Sequence, residues 1–260
     1  MITTLTHENL ARLPHVGHAF FTRKGGVGTD FHEGLSVKPR EGREDASAQN
    51  MRLAARHVGL EEARLVLPFQ VHSALVKRID GPFDLLPSPA RPHVDGLWTM
   101  TQGLGLGVNT ADCVPLLIAH RERPLVASLH AGWKGALAGI VETMVEALTA
   151  QGAKPQDLVA AIGPAIAQES YEVGSEVYDA FTSKYPHTKG FFRPSPTSAQ
   201  HRFFDLPGFV AWRLDAAGVT DVAPSLWNTY QHEDTFFSCR RSFHKGEADF
   251  GCQISAIWIR

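Results

Sequence analysis

Apolar and polar positions change period along this chain, and the changes mark its elements. The most ordered pattern runs Asn109–Gly135, N-T-A-D-C-V-P-L-L-I-A-H-R-E-R-P-L-V-A-S-L-H-A-G-W-K-G. Two short apolar runs, Val114–Ala119 and Leu125–Leu129, flank the polar turn His120–Pro124, which predicts a β-hairpin. With the turn centred near Glu122, Cys113 and His130 stand across from one another, or one position off, at the open end. A slip of one residue sends one of them to the opposite face. Past His130, A-G-W-K-G predicts a tight turn. Leu137, Ile140, Val141, Met144, Val145 and Leu148 then recur at helical spacing, predicting a helix near Ala136–Ala150. A strand, a glycine turn carrying Lys134 and a helix start together offer a seat for an anion.

The same reading predicts a strand over His18–Arg23 that runs into K-G-G-V-G, and a weak helix within Glu41–His57. Leu65–Ile79 is β-rich, as two strands bent at Pro68, and Asp80–Pro92 is an irregular, proline-rich connection. V-D-G-L-W-T and G-L-G-L-G-V-N-T read as strands feeding the hairpin. Further on come a strand at Asp157–Ile162, a helix at Ser175–Tyr185 and a polar loop at Lys184–Gln200. Asp205–Ala217 has an Asp cap, Pro207 in its first turn and Gly218 after its end, the marks of a helix. Phe236–Cys239 and Gln253–Ile259 are the last predicted strands, separated by the polar Arg240–Gly251. No repeat or linker divides residues 1–260, so a single mixed α and β domain is expected.

Composition narrows the class. The 260 residues are 43% hydrophobic and 20% charged, with a net charge of −2, values of a soluble globular chain. That balance gives no electrostatic case for nucleic acid or an acidic membrane surface. No apolar stretch reaches the length of a membrane span, and the N-terminus lacks the layout of a signal peptide. Three cysteines, Cys113, Cys239 and Cys252, do not make a disulfide framework. A reducing cytoplasm is the expected location. No protein partner is indicated.

Candidate chemistry gathers on Cys113 and His130, with His72 as the third partner they need. His72 sits in an apolar run and reads either as a hydrogen-bonded core histidine or as a ligand. Two histidines and a cysteine suit zinc with one position left open, which leans catalytic. The same pair can instead work as a thiolate–imidazolium nucleophile without metal, or do nothing but pack. Asp112, adjacent to Cys113, points to the other face if both lie on a strand, and so acts behind the site or bonds local backbone. Arg23 and Lys24 beside Gly25 and Gly26 can grip phosphate or carboxylate, or form a solvated turn. One of Arg240 and Arg241 can clamp an anion; the alternative is a solvated pair.

The blocks F-F-T-R-K-G-G-V, Q-V-H-S, N-T-A-D-C-V-P-L-L, S-L-H-A-G-W-K-G, G-P-A-I-A-Q-E-S-Y-E-V-G and F-F-S-C-R-R occur in this order. Together they resemble the YfiH-type family, also called laccase-domain or multicopper polyphenol oxidase-like, over roughly Phe20–Arg241. The resemblance implies an α+β fold layered α/β/β/α with mixed sheets. It implies zinc on His72, Cys113 and His130, with phosphorolysis of adenosine, inosine and S-methyl-5′-thioadenosine and deamination of adenosine. Purine nucleosides and phosphate are then the small-molecule substrates, with Arg23, Lys24, Lys134 and Arg240 as the cations placed near phosphate. Editing of a peptidoglycan precursor by a Cys/His hydrolase is the alternative, copper-dependent polyphenol oxidation a weaker one. Thirteen histidines without one H-x-H pair suit a multicopper cluster poorly, and copper is expected at most as an adventitious occupant. The chain departs from the family pattern at Gln168-Glu169-Ser170, at Leu35–Lys38 and after Arg241, which bears on substrate preference.

Overall fold

The computed structural model describes residues 1–39, 44–86 and 90–260. The first residues of the predicted Glu41–His57 segment and part of the Asp80–Pro92 connection lie outside them. The strands are β1 (Thr4–Leu5), β2 (Val16–Phe21), β3 (Leu65–Val66), β4 (Val76–Arg78), β5 (Gly96–Thr99), β6 (Gly105–Thr110), β7 (Val114–His120), β8 (Val126–Ala131), β9 (Leu158–Ile162), β10 (Glu172–Val173), β11 (Phe192–Pro194), β12 (Arg202–Phe204), β13 (Asp221–Ala223) and β14 (Gln253–Ile259). The helices are α1 (Glu8–Ala11), α2 (Glu44–His57), α3 (Trp133–Ala138), α4 (Ile140–Thr149), α5 (Ser175–Lys184), α6 (Leu206–Ala216) and α7 (Cys239–His244). A five-stranded sheet runs β1-β2-β14-β6-β3, a six-stranded sheet β13-β9-β7-β8-β5-β4, and a small sheet β10-β12-β11.

Side-chain alternation sorts the two large sheets into layers. On β7, Leu116 and Ile118 pack with α4 and α6, through Ile140, Met144, Phe209 and Val210. The alternate residues Leu117 and Ala119 meet Phe20, Leu106 and Ile257 of the facing sheet. On the far side of that sheet, Phe21, Ile254 and Ala256 cover Met51, Ala54 and Ala55 of α2. The order is therefore α/β/β/α, as the family resemblance implies. Among the described residues, no helix is long and apolar enough to cross a membrane.

The hairpin forms as β7 and β8, antiparallel, with Val114 opposite Ala131 and Pro115 opposite His130. Cys113 thus stands two positions beyond the partner of His130, rather than opposite it or one position off. Cys113 lies in the bend just before β7, so that bend and not strand alternation sets its direction. Leu65–Ile79 holds two strands as predicted, but a long crossing rather than a bend at Pro68 separates them: β3 joins the five-stranded sheet and β4 the six-stranded one. The chain between them crosses the molecule and carries His72. The predicted Ala136–Ala150 helix is two helices, α3 and α4, broken at Gly139 (φ 103°). Phe236–Cys239 forms no strand, because Ser238 accepts the Arg241 N–H and starts α7 at Cys239. The Lys184–Gln200 loop contains a 3-10 turn at Pro186–Phe191 and β11. The Asp205 cap holds as predicted, its carboxylate accepting the Gly208 N–H at 2.9 Å.

Candidate metal and anion site

The crossing segment, the bend before β7 and the end of β8 bring His72, Cys113 and His130 together, one ligand atom of each lying within 4.8 Å of the others. The three differ in setting: His72 is exposed, Cys113 half-buried and His130 buried. The imidazoles of His72 and His130 meet edge to face, with centroids 4.7 Å apart. A Cβ added at Gly132 would lie 3.0 Å from His72 Cδ2, 3.1 Å from Cys113 Sγ and 3.6 Å from His130 Cε1. Gly132 therefore leaves open the hollow onto which the donors converge. Its neighbour Gly135 lets α3 approach the crossing segment, where a Cβ would come within 2.8 Å of the Ser73 carbonyl. Both glycines of G-W-K-G serve close packing around the donors.

The donor set fits a metal ion. His130 Nδ1 donates to Asp95 Oδ1 at 2.9 Å, which leaves the Nε2 lone pair for a ligand. Burial opposes the charge on Asp95, but hydrogen bonds from His130 and Ser73 outweigh it and hold the carboxyl below its ordinary range. Partial desolvation of its ring among the neighbouring groups, then His130, lowers the pKa of His72, which favours the neutral ring. Burial, then Asp112, pushes the Cys113 thiol up. A thiol in that state is a poor nucleophile by itself, and a cation in the hollow is what would favour its thiolate.

Asp112 does not sit on a strand. It occupies the bend before β7 at φ 89°, so strand alternation does not fix where its carboxylate points. That carboxylate accepts Thr229 Oγ1–H at 2.7 Å and the Arg240 N–H at 2.6 Å, and its burial raises its pKa. Asp112 thus fastens the start of α7 to the residue beside Cys113. The two late arginines have separate work. Arg241 is buried and donates to the carbonyls of Thr229, Tyr230 and Phe236, which makes it a staple. Arg240 donates to the Glu172 carbonyl and lies over the Tyr171 ring at 5.3 Å. It shares with Asp112, Cys113, Trp133, Tyr171 and Phe243 a cleft of about 580 Å³.

Arg23 and Lys24 stand elsewhere. They line a second cleft with Glu33, Glu233 and Asp234 that has no lining residue in common with the first. The Arg23 guanidinium donates to the carbonyls of Glu233 and Glu33 and stacks on Phe237 at 4.6 Å. Lys134 is exposed on the first turn of α3, near the Trp133 ring. The fold therefore gathers His72, Cys113, His130, Asp112 and Arg240, and does not gather Arg23 or Lys24 with them. Asp95 escaped the sequence reading. Its one signal is a carboxylate between Val94 and Gly96 at the start of an apolar strand, where a charge needs a buried partner.

The chain is 44% identical over 171 residues to a purine nucleoside phosphorylase of Rickettsia conorii, covering 66% of this chain and 70% of that one. It is 34% identical to adenosine deaminase RL5 of an unknown prokaryotic organism, covering 86% and 88%. The crystal structure of YlmD from Geobacillus stearothermophilus superposes with a TM-score of 0.87 at 28% identity, covering 95% and 93%. The family described as multi-copper polyphenol oxidoreductase laccase matches residues 17–260, and the chain belongs to it.

Proposed function

We propose that the protein is a zinc-dependent purine nucleoside phosphorylase acting on adenosine, inosine and S-methyl-5′-thioadenosine, with adenosine deaminase activity besides. The observation that carries this reading is a single cleft joining the Cys113 end of a His-Cys-His donor set to the Arg240 guanidinium between aromatic walls. The names of the relatives supply the reaction class. Phosphorolysis forms a bond from a phosphate oxygen to ribose C1′ and breaks the C1′–N9 bond, whose electron pair leaves with the purine. Arg240 is the cation placed to hold the phosphate, and Tyr171, Trp133 and Phe243 offer ring faces to a flat base. Asp112 keeps Arg240 in position through its backbone N–H. His72, Cys113 and His130 would hold the zinc, which when bound supplies a Lewis acid beside the substrate.

Mixed nitrogen and sulfur donors suit zinc. Among the described residues, one group of three or more His, Cys, Asp and Glu side chains converges on a point, too few for a multicopper centre. Cys113, Cys239 and Cys252 are all free thiols, which fits a reducing compartment such as the cytoplasm. The test is adenosine with and without phosphate, using protein purified without added metal and analysed for zinc. Adenine and ribose 1-phosphate formed only with phosphate support phosphorolysis, and inosine formed without phosphate supports deamination. Zinc-loaded protein that neither cleaves any of the three nucleosides with phosphate nor deaminates adenosine sinks the proposal. Full activity in zinc-free protein would instead remove zinc from the mechanism.

A further inference from the structure

We propose that Asp95 is the positioning residue that pre-sets the metal site, by holding the His130 ring and the His72 backbone on one buried carboxylate. Asp95 is fully buried and immediately precedes β5, the neighbour of β8 in the six-stranded sheet. Its Oδ1 accepts His130 Nδ1–H at 2.9 Å and the His72 N–H at 3.0 Å. Its Oδ2 accepts the Ser73 N–H at 2.7 Å, Ser73 Oγ–H at 2.8 Å and the Val71 N–H at 3.3 Å. Its own carbonyl accepts the His130 N–H at 2.7 Å. Three consecutive amides thus point at one carboxylate, and that convergence bends the chain so that His72 takes φ 59°, a conformation non-glycine residues rarely adopt.

The consequence is a division of labour between the two histidines. His130 rides on a strand within a sheet, and Asp95 need only choose its tautomer. His72 stands on an exposed crossing segment with no strand pairing of its own, and Asp95 shapes the backbone that delivers it. A carboxylate is the group that serves both needs, because it is an acceptor on every side. An asparagine offers one acceptor oxygen and one NH2, so one of its ends must fail. With the oxygen kept on the Ser73 side, where three donors converge, the NH2 faces His130 Nδ1 and the His72 N–H. His130 then satisfies the NH2 by accepting on Nδ1, which puts its proton on Nε2, the atom the metal needs.

This inference rests on His72, Cys113 and His130 being metal ligands and is independent of the substrate. The test compares wild type with Asp95→Asn and Asp95→Ala in three measurements on the whole protein. Zinc affinity is read by competition with a chromophoric chelator, the His130 tautomer by ¹⁵N NMR of the metal-free protein, and protection of the Val71–Ser73 amides by hydrogen exchange. Asp95→Asn is expected to bind zinc about 10–100-fold more weakly, to move the His130 proton to Nε2, and to keep part of the amide protection. Asp95→Ala is expected to lose that protection as well. Should Asp95→Ala fail to fold, Asp95→Asn decides the matter alone. Zinc binding by Asp95→Asn within twofold of wild type, or an unchanged His130 tautomer, overturns the role. A wild-type protein without a zinc site defeats the ligand assignment instead, which keeps the two failures apart.

Discussion

Two of the histidine pairs in this fold differ in kind: one spends its bonds inside the protein, and the other is arranged to bind something. His7 and His18 are 4% and 6% exposed, and their polar atoms are spent inside the protein. His18 Nε2 accepts the His7 N–H at 2.9 Å, and His7 Nε2 bonds the Ile162 carbonyl at 3.0 Å. His72 and His130 present ligand atoms to a shared point with Cys113, and the one ring nitrogen of His130 that is bonded is bonded to Asp95. Burial therefore does not separate ligand from core histidine, since His130 is as buried as His18. What separates them is that the ligand atoms of His72 and His130 converge with Cys113 on one point, whereas Nε2 of His18 faces the His7 backbone and Nε2 of His7 faces the Ile162 carbonyl.

The largest expected effect breaks this contrast outright. Cys113→Ala or His130→Ala should lower zinc from about one per chain to near none, and activity by more than about a hundredfold, beyond the usual cost of losing an outer hydrogen-bond partner. His18→Gln should leave zinc content unchanged. Metal analysis after dialysis, read beside turnover, checks all three variants. Stoichiometric zinc in Cys113→Ala removes it from the ligand set.

The second effect belongs to the satisfied pair. Burial, then nearby His7 and Arg260, lowers the pKa of His18 to about 4, and a protonated ring cannot accept the His7 N–H. Between about pH 4 and 6.5 the unfolded chain therefore binds the His18 proton and the folded chain does not, so stability rises with pH across this window. The contribution is complete above pH 6.5 and amounts to about 3 kcal/mol, lost as the pH falls toward 4. Denaturant melts of wild type and His18→Gln across this range measure it. The stability difference between them should shrink as pH falls, and a difference constant with pH refutes the assignment.

A smaller effect tests the hollow itself. Gly132 has φ −73°, which alanine adopts without strain, so Gly132→Ala alters space and not backbone preference. Its methyl would stand 3.0–3.1 Å from His72 and Cys113 atoms, and the donors must give way. A penalty of about 1.4 kcal/mol corresponds to about tenfold weaker zinc binding, with an unchanged far-UV circular dichroism spectrum. Wild-type affinity in this variant would mean the metal lies away from the hollow.

How much of this was legible follows from the range of each interaction. The hairpin was, because the apolar runs Val114–Ala119 and Leu125–Leu129 are local and the turn between them is short. Cys113 and His130 were legible as a pair for the same reason, with an error of one position in register. His72 entered only as the missing third donor and through the resemblance, since its approach depends on a segment that crosses between two sheets. Asp95 was hidden because its partners lie 22 to 35 residues away, and nothing in V-D-G-L-W-T points to them. The Asp112–Arg240 bond spans 128 residues and is equally invisible to periodicity. The break between α3 and α4 was within reach, since Gly139 interrupts an otherwise continuous apolar stripe.

The smallest expected effect carries the contrast from histidines to arginines. Arg23, which follows a strand and stands near two glycines, and Arg240, which stands beside Arg241, both read from sequence as either an anion grip or a solvated group. The fold places Arg23 between the carbonyls of Glu33 and Glu233, over Phe237, in a cleft that also holds Asp234. There the guanidinium already has partners, two carbonyls and a ring face. Arg240 instead faces the cleft that contains Cys113, with one donor engaged by the Glu172 carbonyl and others left for a ligand. Arg240→Ala is therefore expected to raise the phosphate KM about tenfold, which corresponds to about 1.4 kcal/mol of lost binding. Arg23→Ala is expected to change it by less than about twofold, with any loss appearing in thermal stability, as for a partly exposed polar contact. Arg240→Lys sharpens the test, because it keeps the charge and loses the planar fork, and should fall between wild type and Arg240→Ala. Initial rates at fixed nucleoside and varied phosphate measure all three variants. If Arg23→Ala raises the phosphate KM more than Arg240→Ala does, the phosphate seat belongs to the glycine turn after β2 and the cleft beside Cys113 does not hold the anion.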